Sequence, residues 1–337
     1  ARPVALTAMN LLIEAMRRTT CGALDSGAKP PVITAMAKLM STELFRESIN
    51  DGMDVVGGAG ISLGPKNLLG HAYMGAPISI TVEGANILTR TLMIFGQGAI
   101  RCHPFALKEI TAMNDWDVAG FDRAFWGHIG HVVRNGCRAK VLGLTRGALA
   151  GAPLDGPSAP YLKKLSWASA SFAVLADMAM GLLGGDLKRR ETVAGRFSDV
   201  FAWLYLASAT VKRFEAEGRR VEDEPFFHWS MQYSLARIQE AFLGLLANLN
   251  LPGMGWLLRG PVSLWWRMNP MGREPSDEVG QAVARAMQQP GGVRDTLTEG
   301  IYLPTAEGEA LAELERTFAL CVEADGILGR VRKATRK

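Results

Sequence analysis

One carboxylate stands apart in this chain. Glu83 closes an apolar run, Ala76-Pro-Ile-Ser-Ile-Thr-Val82, and has no basic partner beside it in sequence. Taking a lone ionised carboxyl out of water is costly, and burial favours its neutral form. An acid in such a setting is a candidate for proton transfer. The bland alternative is a helix-end charge. Gly84-Ala85-Asn86 opens a helical pattern, and the macrodipole stabilises an acid at a helix N-terminus. Upstream lies a glycine cluster, Gly57-Gly58-Ala59-Gly60, at the end of another helical pattern. Bare backbone there would let a ligand approach closely, although many helices simply end on glycine. The cluster is no dinucleotide fingerprint, because no strand precedes it and G-x-G-x-x-G is absent.

Other reactive side chains are dispersed. Cys21, Cys102, Cys137 and Cys321 form no C-x-x-C pair, so neither a zinc framework nor a disulfide scaffold is expected, and a reducing, cytoplasmic setting is. His128-x-x-His131 places two imidazoles one helical turn apart. No Cys, Asp or Glu nearby in sequence completes a ligand set, so the pair reads as a surface pair and no metal is expected. The 337 residues are 48% hydrophobic and 21% charged, with a formal net charge of +4. Such a chain is globular rather than disordered and too weakly basic to argue for nucleic acid.

The elements that must position these residues read as helical nearly throughout, so the fold class is all-α. Pro3 suits a first helical turn, and Ala5, Met9, Leu12, Ile13 and Met16 form one apolar stripe. A loop from Gly22 to Pro31 is expected to follow, with Gly27, Pro30 and Pro31 as breakers. A second helix from Ile33 runs through Met53 to the double glycine. The stretch from Gly64 to Pro77 reads as loop, and a third helix from Gly84 carries Ile87, Leu88, Leu92 and Ile94 toward Ala99. Asn114-Asp-Trp-Asp117 reads as a boundary between residues 1–112 and 113–337. Beyond it, helices are expected over Phe121 to Gly147, Tyr161 to Leu183, Glu191 to Gly218 and Phe226 to Asn248, with a hinge at Gly184-Gly185-Asp186. The last helix, Glu307 to Lys337, ends in a basic tip. Leu165 to Gly185 is the most apolar stretch, but it carries Asp177, which argues against a spanning helix.

Leu251 to Met268 gathers Trp256, Trp265 and Trp266 with Arg259 and Arg267 among aliphatics. Tryptophan and arginine beside an apolar face compose an interfacial membrane segment. The alternative is a loop packed on the helical core.

Taken together, Asp54-x-x-Gly57-Gly58-x-Gly60 and Val82-Glu83-Gly84-x-Asn86-x-Leu88 resemble the C-terminal bundle of the acyl-CoA dehydrogenases, which read Q-x-x-G-G-x-G and then E-G-T. The flanks Gly75-Ala-Pro-Ile-Ser-Ile-Thr-Val-Glu-Gly-Ala-Asn-Ile-Leu-Thr-Arg90, Ile94-Phe-Gly-Gln-Gly-Ala-Ile-Arg-Cys-His-Pro104 and Leu183-Gly-Gly-Asp-Leu-Lys-Arg-Arg-Glu191 are similar to the large bacterial β-oxidation branch. That resemblance covers nearly the whole chain. It implies α,β-dehydrogenation of a medium- or long-chain acyl-CoA to the trans-2-enoyl-CoA, with FAD as hydride acceptor and Glu83 as the base for the α-proton. It implies cofactor contacts at Asp54, Gly57, Gly58, Gly84 and Asn86, an electron-transfer flavoprotein as partner, and a homo-oligomer. Asp54 stands where the family has Gln, and Ala85 where it has Thr. The family's N-terminal helical domain and β-domain are absent from these residues, so the chain by itself is expected to be inactive. The alternative function is a helical module that anchors an assembly at the inner membrane through Trp256, Trp265 and Trp266, without catalysis of its own.

Overall fold

The computed structural model describes residues 2–306 and 308–335, with side chains from Ala8 onward. Helices dominate, and no strand occurs among the described residues. The apolar stripe of α1 (Arg2–Asp25) buries Met9, Leu12 and Met16 against α2 (Ile33–Val56), which answers with Met36, Leu39, Met40 and Leu44. Ala5, the first member of the expected stripe, lies outside the described side chains.

The stretch read as loop contains a helix, α3 (Gly70–Thr81), with Pro77 inside it. Proline removes one N–H from the ladder and clashes with the carbonyl four residues back. Packing of α3 on α2, with Gly70 and Ala76 buried, outweighs that local cost. A continuous helix over 86–102, here α4, then runs through a nine-residue π-helical segment, Thr89–Gln97, between α-helical ends. The widened turn ends with the Gly98 N–H donating to the Met93 carbonyl. Such segments recur at functional sites.

After the short α5 (Ala106–Asn114) comes the expected boundary turn, where Asp117 caps α6 (Val118–Leu144) by accepting the Gly120 N–H at 2.9 Å. The long helices α7 (Ala159–Leu183), α8 (Glu191–Ala216) and α9 (Glu224–Asn248) follow, with α7 and α8 hinged at Gly184 (φ 50°) as the glycine pair implies. Of the helices that follow, the longest are α10 (Asp277–Met287) and α11 (Ala310–Thr335). Of the helix expected over Glu307 to Lys337, Glu307, Arg336 and Lys337 lie outside the described residues.

Helix α8 is the hub. It packs against α1, α4, α7 and α9, and one hydrophobic core joins Met9, Met36 and Phe95 to Phe197, Phe227 and Phe242. The Phe95 and Phe197 rings stack with centroids 4.2 Å apart. Arg90 on α4 meets Asp199 on α8 in a fork, with Nε to Oδ1 at 2.6 Å and Nη2 to Oδ2 at 2.5 Å. Gly195 makes room for it, since a Cβ there would stand 2.8 Å from Arg90 Nη1.

The stretch Gly156–Arg189, which includes α7, is long and apolar enough to cross a bilayer by length and composition. Its Leu165, Trp167, Ala168, Leu175 and Ala179 are spent on the protein core. The tryptophan segment divides. Trp266 is 7% exposed and packs on Phe242 and Trp167, at 4.7 and 5.3 Å between centroids. Its expected membrane contact is therefore corrected to a core role. Trp256 is 68% exposed, and Trp265 is partly exposed with its indole N–H on the Gly143 carbonyl.

Candidate functional site

Glu83 sits on the turn between α3 and α4, in the left-handed region at φ 55°, followed by Gly84 at φ 93°. A side chain in that region costs on the order of 1 kcal/mol, and such strain collects where function holds a residue in place. Burial of Glu83 was the expectation, and it is corrected: the side chain is exposed. The reason is geometric. The turn lies beside the outer face of α3, where Tyr73, Met74 and Ile78 are exposed, as are Val82 just after it and Ile87 and Leu88 at the start of α4. Apolar sequence around Glu83 here means an apolar surface, and contiguous exposed apolar side chains mark a contact surface.

The turn is held from below by a residue that sequence reasoning missed. Lys38 on α2 donates from Nζ to the Gly84 carbonyl at 2.9 Å, to Asn86 Oδ1 at 2.6 Å and to the Ile80 carbonyl at 3.3 Å. Asn86 is buried and donates its amide to Thr42 Oγ1 and Glu43 Oε1, both at 2.8 Å. The side chain of Asn86 thus faces α2, and it fixes the start of α4. Nothing local in sequence marks Lys38, which reaches the turn only through the packing of α2 beside α3.

The glycine cluster lies at the C-terminal end of α2. Its Gly57 adopts φ 57°, and Asp54, Gly57 and Gly58 are exposed. A Cβ on Gly57 or Gly58 would meet nothing within 4 Å, so the backbone is open to a flat or polar partner. A helix C-terminus is the negative end of the macrodipole, and Asp54 adds a carboxylate. This spot suits a hydroxyl donor better than a phosphate.

Two family matches cover most of the chain. Residues 4–94 match the acyl-CoA dehydrogenase C-terminal domain, and residues 100–337 match the family described as acyl-CoA dehydrogenase, C-terminal, bacterial type. The structure is similar to that of an acyl-CoA dehydrogenase complexed with FAD from Bacillus anthracis, with 13% sequence identity and a TM-score of 0.61. That similarity takes in 88% of this chain and 48% of the other, so the chain spans about half the length of that relative. At this identity the likeness is one of fold. On the extent of the second family match, this chain belongs to the acyl-CoA dehydrogenase family, in its bacterial type.

Proposed function

We propose that this chain supplies the C-terminal helical part of an FAD-dependent acyl-CoA dehydrogenase, with Glu83 as the base that takes the α-proton of a medium- or long-chain acyl-CoA. The observation that carries this reading is the strained Glu83 turn, locked by Lys38 and Asn86 on an exposed apolar face. A thioester carbonyl acidifies the neighbouring C–H, and a carboxylate carried on a fixed turn can accept that proton. Covering the apolar face with substrate and with the other parts of the enzyme would strip water from Glu83, which strengthens a carboxylate as a base.

FAD, when bound, supplies the acceptor for the β-hydride. The open backbone at Gly57 and Gly58 and the Asp54 carboxylate fit its ribose hydroxyls, and Gly84 leaves the backbone beside Glu83 accessible. Residues 1–112 would carry this chemistry and residues 113–337 would brace it through α8. A homo-oligomer and an electron-transfer flavoprotein as oxidant complete the reading.

The test is Glu83→Gln in the full-length enzyme. FAD content and acyl-CoA binding should hold while dehydrogenation falls by about 10²–10⁴, the usual worth of a general base. Turnover within a few-fold of wild type would overturn the assignment.

A second reading has its own observation. Trp256, Leu264 and Met268 are exposed on one short helical stretch that also carries Arg259 and Arg267. Exposed aromatic and aliphatic side chains beside arginines suit the headgroup region of a bilayer, so this segment would give peripheral contact with the inner membrane. Flotation with anionic vesicles tests it, and a protein left wholly in the pellet fraction would remove it.

A further inference from the structure

Three helices and one loop bring together side chains that the proposed dehydrogenation does not use. His103 follows α4, Glu109 lies on α5, His128 and His131 lie on α6, and Asp177 lies on α7. The sequence pair His128 and His131 had no acid nearby in the chain; folding delivers two. One ligand atom each from His103, His131 and Asp177 lies within 4.8 Å of the others. His128 Nε2 stands 3.9 Å from Asp177 Oδ1. The His103 ring centroid is 4.5 Å from that of His128 and 5.3 Å from that of His131.

Asp177 is the anomaly at the centre. Its side chain is only 6% exposed, and neither carboxylate oxygen accepts a hydrogen bond. His103 Nε2 lies 3.0 Å from Oδ1, yet without hydrogen-bond alignment. A buried carboxylate in that condition is costly. Donors packed this closely without bonding one another have the arrangement of ligands around an ion. In a tetrahedral zinc site with bonds of about 2.0–2.2 Å, neighbouring donors sit roughly 3.3 Å apart.

We propose that His103, His131 and Asp177 bind a divalent transition metal, with His128 as the fourth donor. Imidazole nitrogens with one carboxylate oxygen match zinc in type and number. The outer shell is in place as well. Glu109 Oε1 takes the Nδ1 proton of His128 at 2.8 Å, leaving Nε2 free toward Asp177, which is the usual carboxylate–histidine support of a metal ligand. Asn135 Nδ2 lies 2.9 Å from His131 Nε2; with Nδ1 on the metal, Nε2 carries the ring proton and the Asn135 amide turns its oxygen to accept it. The Phe105 and Ala106 N–H groups donate to His103 Nδ1 at 3.2 and 2.9 Å. They place the proton of the metal-free ring on Nε2. Metal uptake at Nε2 moves that proton to Nδ1, and the Phe105 and Ala106 N–H groups give way to it. Ile100, Glu109, His128, Asp177 and Lys188 line a cavity of about 280 Å³ beside the cluster, which gives an ion a way in. The bound ion would tie the end of α4 to α6 and α7.

The experiment uses the full chain, stripped with a chelator and titrated with Zn²⁺ against a chromophoric competitor, and with Co²⁺ by its visible absorption. One equivalent should bind and raise the melting temperature. Asp177→Asn and His131→Gln should each weaken binding at least 30-fold, while exposed His71→Gln binds as wild type. Without metal, Asp177→Asn should melt no lower than wild type, because the unpaired charge is gone. Absence of stoichiometric binding, or wild-type affinity in both cluster variants, would overturn the proposal. So would a chain that takes no metal and loses stability in Asp177→Asn, since that marks a proton-bridged histidine–aspartate pair.

Discussion

Lys38→Met isolates the contribution of the ammonium under the Glu83 turn. The substitution keeps most of the aliphatic stem of a half-buried side chain and removes only the donor. Three acceptors lose it: the Gly84 carbonyl, Asn86 Oδ1 and, at the longer 3.3 Å, the Ile80 carbonyl. The two carbonyls are partly exposed and can turn to water, so their loss is small. Asn86 Oδ1 is buried, and a buried acceptor left unmade costs about 1–3 kcal/mol. Adding a modest share for the Gly84 bond gives a loss of about 3 kcal/mol. For 337 residues, the entropy of unfolding is about 0.7 kcal/mol/K, so the melting temperature should fall by roughly 4 °C. The functional effect should exceed the stability effect. With the turn released, Glu83 can leave the left-handed region and relax its strain; on the role proposed for Glu83, a base displaced by about an ångström costs on the order of 10² in rate. The assay pairs thermal unfolding with kcat and KM of the full-length dehydrogenase. A variant that melts within a degree of wild type and turns over normally would refute the view that Lys38 positions the turn.

Further outcomes follow from other contacts. Arg90→Met should destabilise the chain by about 2–4 kcal/mol, because the partner Asp199 is left partly buried without its fork; hydrogen exchange should rise along α4 and α8 together. Trp266→Ala should cost about 3–5 kcal/mol as a core truncation, whereas Trp256→Ala should leave the melting temperature within about a degree and lower only vesicle binding. Burial pushes the His228 imidazole below its ordinary value, with Glu224 opposing, and the ring sits 2.8 Å from the Tyr161 hydroxyl. A histidine depressed in the folded state contributes stability that is complete above its unfolded value, about 6.5. That stability is lost as the pH falls below it, because the unfolded chain then takes up the proton more readily. Melting temperature should therefore drop between about pH 6.5 and pH 5 in wild type, and drop less in His228→Gln.

The parts of this fold that could be read from sequence are those set by local chemistry. The hinge between α7 and α8 was legible because Gly184 and Gly185 interrupt two long helical patterns, and the apolar periodicity of α1 gave its buried face directly. The helix α3 was not legible, because Pro77 and two glycines argue locally against it while the decisive contact is with α2. The same limit applies to the sites. Glu83 announced itself by its neighbours in sequence, but its exposure depends on which face of α3 looks outward. Lys38 gave no sequence signal, and Asp177 stood out only as a charge in an apolar stretch, since each acquires its partners only when distant stretches of chain are packed together. Trp266 and Trp256 look alike in sequence and are separated by burial alone.

The continuity of the hydrophobic core across both matched regions bears on how this protein can change over evolutionary time. Phe95 stacks on Phe197 and Arg90 grips Asp199 across the junction of those regions. A segment exchanged at that junction between distant relatives would bring mismatched halves of one packed interior. The two regions should therefore be inherited as a pair, with substitutions at Phe197, Asp199 or Gly195 tracked by compensating changes at Phe95 and Arg90. Recombinant chimaeras cut near residue 100 would report that coupling as loss of expression before any loss of chemistry.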